Sequence, residues 1–264
     1  MIVEPMVAKT NYISFPPRLE DQTNRITAMF MGRTDMTTGL WFPIQKMTWK
    51  RQNHEYVDCV TVFTKGAKFL EELHPEIPNL VTFGNLSQVF KYRDIYSCCW
   101  SNRLPVNRDP DPQTLEYLGL DPDALVDPIL YAERSGGYRH GDRQDLFPEV
   151  RADERGNYNF VFRNVDAFQF TTANRPQLHS FQIGEAVTAD LVEGKIRLNC
   201  QGYDVGSAPP YIRELYKKYR ADLNICIYQV NPNAPFEYQF LFKASLNQEI
   251  GIPFCEPEYE PFNG

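Results

Sequence analysis

The sequence has no apolar run approaching the roughly 18 residues that a membrane span requires, so no transmembrane helix is expected. Its first residues, MIVEPMVAKTNYISF, lack a basic stretch followed by an apolar core, and no secretory signal is expected. Cysteine occurs as Cys59, Cys98, Cys99, Cys200, Cys226 and Cys255, never as C-x-x-C. The adjacent pair Cys98-Cys99 is poor geometry for a shared disulfide or metal, which points to free thiols in a reducing cytoplasm. Histidine is scarce, and His54, His74, His140 and His179 show no metal-ligand spacing. There is no excess of basic charge. The net charge of −7 excludes a protein that coats nucleic acid non-specifically, since that affinity comes from neutralised phosphates. A local basic groove is still permitted.

What is present describes a folded globular chain: 264 residues, 42% hydrophobic and 14% aromatic. The clearest stretch is KIRLNCQGYDVGSAPPYIRELYKKYR, residues 195–220. In 195–198 polar and apolar residues alternate, as in a half-buried strand, and a second very short strand ends in a glycine turn. Pro209 and Pro210 then open a helix, where a missing N–H costs nothing. Ile212, Leu215, Tyr216 and Tyr219 share one face of that helix, with Arg213, Glu214, Lys217 and Lys218 around the others.

Upstream, strands are expected at 25–31, 40–44 and 56–63, joined at the first step by a turn around Thr34 to Gly39. Thr64 suits the cap of a helix over 65–73. Residues 86–100 read as a helix with Val89, Phe90 and Tyr96 inward. A short helix over 113–118 stops at Gly119, and a further helix runs from Pro122 toward Arg134, bent or restarted at Pro128. Gly136-Gly137 ends it, and a strand follows at 146–150. Ala152-Asp153-Glu154-Arg155-Gly156 is a hairpin turn or a boundary. It divides the chain into a mixed module, 1–155, and a strand-rich one, 156–264, with strands at 158–162, 167–171, 186–191, 195–198, 223–230 and 237–244. The fold class is α+β. An N-terminal arm and an irregular strap over 253–262 complete the chain.

Three enzymatic readings have simpler alternatives. Glu193-Gly194-Lys195, with Asp190 or Asp166, could be part of a metal-dependent nuclease, but the tripeptide suits an exposed hairpin turn. His140-Gly141-Asp142 with Asp145 offers a nitrogen and two carboxylates without further ligands. Ser135-Gly136-Gly137 follows a helix, as a C-cap does, and lacks the G-x-x-x-x-G-K-[ST] pattern of a phosphate loop. No catalytic residue, metal or cofactor is expected.

The later half resembles a HIRAN domain, a small β-barrel-like module with one helix. Lys195-Ile196-Arg197-Leu198 stands for that family's Ala-Ile-x-Val strand. Val205-Gly206-Ser207-Ala208-Pro209-Pro210-Tyr211-Ile212 stands for the Gly-Tyr-x-Pro-x-Tyr-Leu entry to the helix, and Gly184 to Val187 and Val230 to Pro235 also match. The family's Asn-Pro-x-Asp loop has no counterpart, because Asp190 to Lys195 is too short for it. More weakly, the first half is similar to the N-terminal subdomain of HipA-like proteins. That likeness rests on Phe63 to Ala67, Ser101 to Pro105 and Leu130 to Gly137, without a kinase core. HIRAN modules hold the ends of single-stranded DNA through stacked aromatics and cations. The resemblance therefore implies a site at Arg163, Phe168, Arg197, Tyr203 and Tyr211, with Lys217 and Lys218 toward phosphates. The competing expectation is a protein partner, as in a regulatory subunit of a toxin–antitoxin or defence system. Its contact would be an apolar patch or strand edge in the aromatic C-terminus.

Overall fold

The computed structural model describes residues 24–77, 86–105, 111–138, 143–165 and 175–251. They form two antiparallel sheets with four α-helices, an α+β fold. In the first sheet the strands are β1 (Ile26–Thr34), β2 (Trp41–Gln52), β3 (Glu55–Phe63), β4 (Val89–Asp94) and β5 (Gln144–Val150), in spatial order β4-β3-β2-β1-β5. β1 is an interior strand, between β2 and β5, and apolar on both faces, as ITAMFMGRT suggests. Its run from Ala28 to Met31 is buried. β2 extends well past the expected 40–44, because it pairs with β3 as far as Gln52↔Glu55. Asn53 and His54, both with positive φ, close that two-residue hairpin.

The segment 86–100 corrects the helical expectation. It forms β4 and a single 3-10 turn, Ile95–Ser97, whose free amides are capped by Asp94. The β-branched and aromatic residues Val89, Phe90 and Tyr92 pair with Val62, Thr61 and Cys59, and the neighbouring strand overrides a helical reading of the spacing. Helix α1 (Lys65–Leu73) lies where expected. Thr64 precedes it, but its hydroxyl donates to the Pro43 carbonyl and makes no cap. Helix α2 is Pro112–Tyr117. Helix α3 (Pro128–Ser135) starts later than Pro122, because the Asp127 carboxylate accepts from the Ile129 and Leu130 amides and sets its first turn there. Gly136, at φ 67°, ends it as expected.

The second sheet contains β6 (Tyr158–Arg163), β7 (Ala186–Val192), β8 (Lys195–Cys200), β9 (Tyr203–Ser207), β10 (Asn224–Val230) and β11 (Phe240–Leu246), ordered β6-β11-β10-β7-β8-β9. Among the described residues no strand pairing closes it into a barrel. β6 and β9 are its edges, although Val165, just past β6, donates its N–H to the Ser207 carbonyl at 2.9 Å. Helix α4 (Pro210–Tyr219) buries Ile212, Leu215, Tyr216 and Tyr219, the face that its spacing predicts, together with Tyr211. The expected strand at 167–171, the N-terminal arm and the strap over 253–262 lie outside the described residues.

The turn after Ala152 joins the sheets: Asp153 and Asn157 close it, and Ala152 bridges Tyr158. One continuous apolar core runs through both sheets. Phe147 of β5 meets Phe160 of β6 edge-on at 5.2 Å, and Trp41 of β2 meets Tyr211 of α4 at 6.1 Å. Helix α3 contributes a buried polar hub to the same region. Arg134 donates to the Leu118 and Gly119 carbonyls and lies over the Tyr228 ring, so it joins α2 and α3 to β10.

Candidate functional site

Strand alternation places Lys195, Arg197 and Asn199 on the outer face of β8, opposite the buried Ile196, Leu198 and Cys200. The register brings Arg197 beside Ser207 and sets Asn199 opposite Asp204 on β9. The Arg197 guanidinium is consumed there. It forms an ion pair with Asp204, with Nε to Oδ2 at 3.0 Å, and donates from Nη1 to the Ser207 hydroxyl at 2.6 Å. Its side chain is 26% exposed. The residue ties β8 to β9 and is not a free cation.

Arg163, at the end of β6, is 7% exposed. Its guanidinium donates to the Ser135 carbonyl at 2.9 Å and the Glu237 carbonyl at 3.1 Å, and lies between the Tyr138 and Tyr238 rings. Tyr211 is 2% exposed, enclosed by Trp41 and Phe147. Burial pushes its hydroxyl well above the ordinary tyrosine range. Tyr203 is half-buried against Phe181. Lys217 and Lys218 are exposed on α4: Lys217 pairs with Glu214 at 3.3 Å and Lys218 lies over the Tyr219 ring. Phe168 lies outside the described residues. Arg163 and Tyr211 are interior groups, so the expected site is not one exposed groove. This corrects the placement that the resemblance implied.

Two of the residue groups weighed for enzymatic chemistry have local structural roles. Glu193 (φ 48°) and Gly194 (φ 77°) form a two-residue hairpin turn between Val192 and Lys195, with both residues left-handed as a type I′ turn requires. Asp145 is buried and accepts the Trp41 indole N–H at 2.5 Å, a structural role. His140 and Asp142 lie outside the described residues. Among the described residues no three histidine, cysteine or acidic side chains could hold a metal together. A cleft of about 180 Å³ beside β5, near Tyr158 and Ile250, is smaller than the few hundred Å³ usual for small-molecule sites. No helix among the described residues is long and apolar enough to cross a membrane.

Sequence reasoning missed a different feature of this unit. β7 pairs with β8 along 188–192, but with β10 only at Ala186 and Val187. Beyond that point its other side carries no strand among the described residues. Leu191 and Val192 there are each 48% exposed. The available signal was two adjacent apolar residues directly before a polar turn, where alternation calls for one of each kind.

A surface tether was also missed. His74, just after α1, places Nε2 2.6 Å from Asp35 Oδ1 and Nδ1 3.2 Å from Glu76 Oε1. Asp35 also accepts from the Thr38 amide and hydroxyl, each at 2.7 Å. The Thr38 hydroxyl is directed to the carboxylate and not to the imidazole, so the group lacks the nucleophile–base contact of a hydrolytic triad. It anchors the β1–β2 turn to α1.

No family model matches this chain, and no curated protein or solved structure matches it either.

Proposed function

We propose that this chain is a non-catalytic recognition protein that works through protein contact, with the free side of β7 as its docking edge. One observation carries the reading: over 188–192 the strand has β8 on one side only, with two half-exposed apolar residues beside it. Such an edge offers backbone groups and apolar surface together, the combination that strand addition uses. A single-stranded DNA site is less well supported, because Arg163, Arg197 and Tyr211 already serve internal contacts. The HIRAN resemblance remains a reason to favour recognition over catalysis. In this reading the second sheet is the opened counterpart of that family's barrel. The narrower role, a regulatory partner in a toxin–antitoxin or defence system, rests on the HipA resemblance alone.

The test is fluorescence anisotropy with labelled single-stranded DNA bearing a free 3′ end, at low and then moderate salt, beside amide hydrogen exchange of the free protein. The expected result is no end-dependent, salt-sensitive DNA binding, together with fast exchange at Ala189 and Leu191. DNA binding that Arg197→Ala removes would overturn the proposal in favour of the HIRAN activity.

A further inference from the structure

The backbone geometry of β7 defines its missing neighbour more closely. Next to β10, the Ile227 N–H donates to the Glu185 carbonyl at 2.9 Å, and the Gly184 N–H donates to the Ile227 carbonyl at 2.8 Å. Antiparallel strands present successive residues alternately to the two sides. Residues 185, 187, 189 and 191 therefore direct their N–H and C=O groups toward the β10 side, and 188, 190 and 192 toward β8. The two-residue turn agrees, since it requires Val192 and Lys195 to be a mutually bonded pair. β10 ends at Asn224, opposite Thr188 in this register. The backbone groups of Ala189 and Leu191 thus face a position that no strand of the described residues fills.

The side chains around that position are of two kinds. Leu191 lies opposite Ile196 on the inner face, and Asp190 lies opposite Arg197 on the outer one. Arg197 is turned away to Asp204 and Ser207. The side chains of Asp190, and of Glu193 at the turn, are exposed and make no ion pair or hydrogen bond among the described residues. The cations around the turn are engaged: Arg213 of α4 donates to the Gly194 carbonyl at 3.2 Å and to Glu214, Lys195 has an interaction of its own, and Lys217 pairs with Glu214. The uncommitted charges at the edge are therefore acidic, on a chain of net charge −7.

We propose that β7 accepts an extended partner segment in which basic and apolar residues alternate. The segment would lie antiparallel, bonded to the backbone of Ala189 and Leu191, with a lysine or arginine toward Asp190 and an apolar residue beside Leu191. This rests on the protein-contact reading above and names the partner's chemistry.

The experiment uses the full chain and a short fluorescein-labelled peptide of alternating lysine and valine, with an alternating glutamate–valine peptide as control. The lysine peptide is expected to bind at least about tenfold more tightly than the control, with affinity falling as salt rises. It should also slow amide exchange at Ala189 and Leu191. Leu191→Pro removes one outward N–H while leaving the bonds of Asp190 and Val192 to β8, and should weaken binding by about tenfold or more. Asp190→Lys, an exposed change that keeps the fold testable if the proline does not, should reverse the preference between the peptides.

Equal binding of both peptides, still lost in Leu191→Pro, would overturn the basic chemistry and leave the docking edge standing. Slow exchange at Ala189 and Leu191 in the free chain, with neither peptide bound, would overturn the edge itself. No binding despite fast exchange would overturn the proposed partner. A dimer in sedimentation that Leu191→Pro dissolves would replace that partner with a second copy of this chain.

Discussion

Arg25 and Glu133 meet through a two-oxygen contact, Nη2 to Oε1 at 2.5 Å and to Oε2 at 2.6 Å, where none of the glutamate side chain is exposed. The same carboxylate accepts the Val161 amide at 2.8 Å, and Arg25 also donates to the Asn159 carbonyl at 2.7 Å. One buried acid therefore joins the start of β1, helix α3 and strand β6. Removing one partner of such a pair leaves the other charge desolvated without compensation.

Glu133→Ala is accordingly expected to destabilise the protein by about 3–5 kcal/mol. The Arg25→Ala,Glu133→Ala double variant should lose clearly less than the sum of the two single losses. Urea unfolding of the four proteins measures this. Additive losses would mean that the pair is not coupled.

Gly32 is needed for a different reason. A Cβ there would be driven into the Trp41 indole ring, whose N–H is held by buried Asp145. Gly136 has open space around it but φ 67°. Gly32→Ala should therefore cost about 3 kcal/mol or more, with a changed near-ultraviolet circular dichroism signal from Trp41. Gly136→Ala should cost only about 1–2 kcal/mol, from backbone strain, without that change. Equal costs would contradict the steric assignment.

The His74–Asp35 tether predicts a pH window. The bond to Asp35 raises the His74 pKa against the opposing effect of burial. Burial pushes Asp35 upward, but the Thr38 side chain and amide, with His74, outweigh it and hold the carboxyl at about 2. A raised histidine stabilises below its unfolded value of 6.5 and loses that effect as pH rises through the folded value. A lowered carboxyl stabilises above its unfolded value of 3.8 and loses that effect as pH falls toward 2. The Tm difference between the wild type and His74→Ala should therefore be greatest between pH 3.8 and 6.5 and shrink on both sides. A difference that is flat from pH 3 to pH 9 would remove the charge from the explanation.

The buried thiols give a chemical check. Burial pushes Cys59 and Cys98 up to about 12, so at pH 8 they are almost entirely protonated and poor nucleophiles. Both should resist iodoacetamide at pH 8 until denaturant is added, as read by peptide mass spectrometry. Rapid labelling of Cys59 in the native protein would contradict its enclosure.

Much of the second sheet was legible because its strands alternate and its turns use marked residues. The Glu193-Gly194 turn and the buried face of α4 follow from local pattern. β4 was not legible, because Val89, Phe90 and Tyr92 suit either a helix or a strand, and only β3 alongside decides. Nor could sequence show that Arg163 faces inward. Its partners Ser135 and Glu237 lie far from it in the chain, and the fold alone assembles them. The free edge of β7 escaped notice for a related reason: it exists because β10 stops short of it, and strand lengths in neighbouring rows are a property of the sheet.

The turn after Ala152 looks like a natural place to cut the chain, and the shared aromatic core makes it a poor one. Trp41 and Phe147 on one side of that turn are covered by Tyr211 from the other, and the Gly39 carbonyl is held by Arg213. A fragment ending there would present a raw aromatic surface to solvent, and so would its complement. For expression, fusion or exchange of parts between proteins, the expectation is therefore that the two sheets are best moved together, as one cassette.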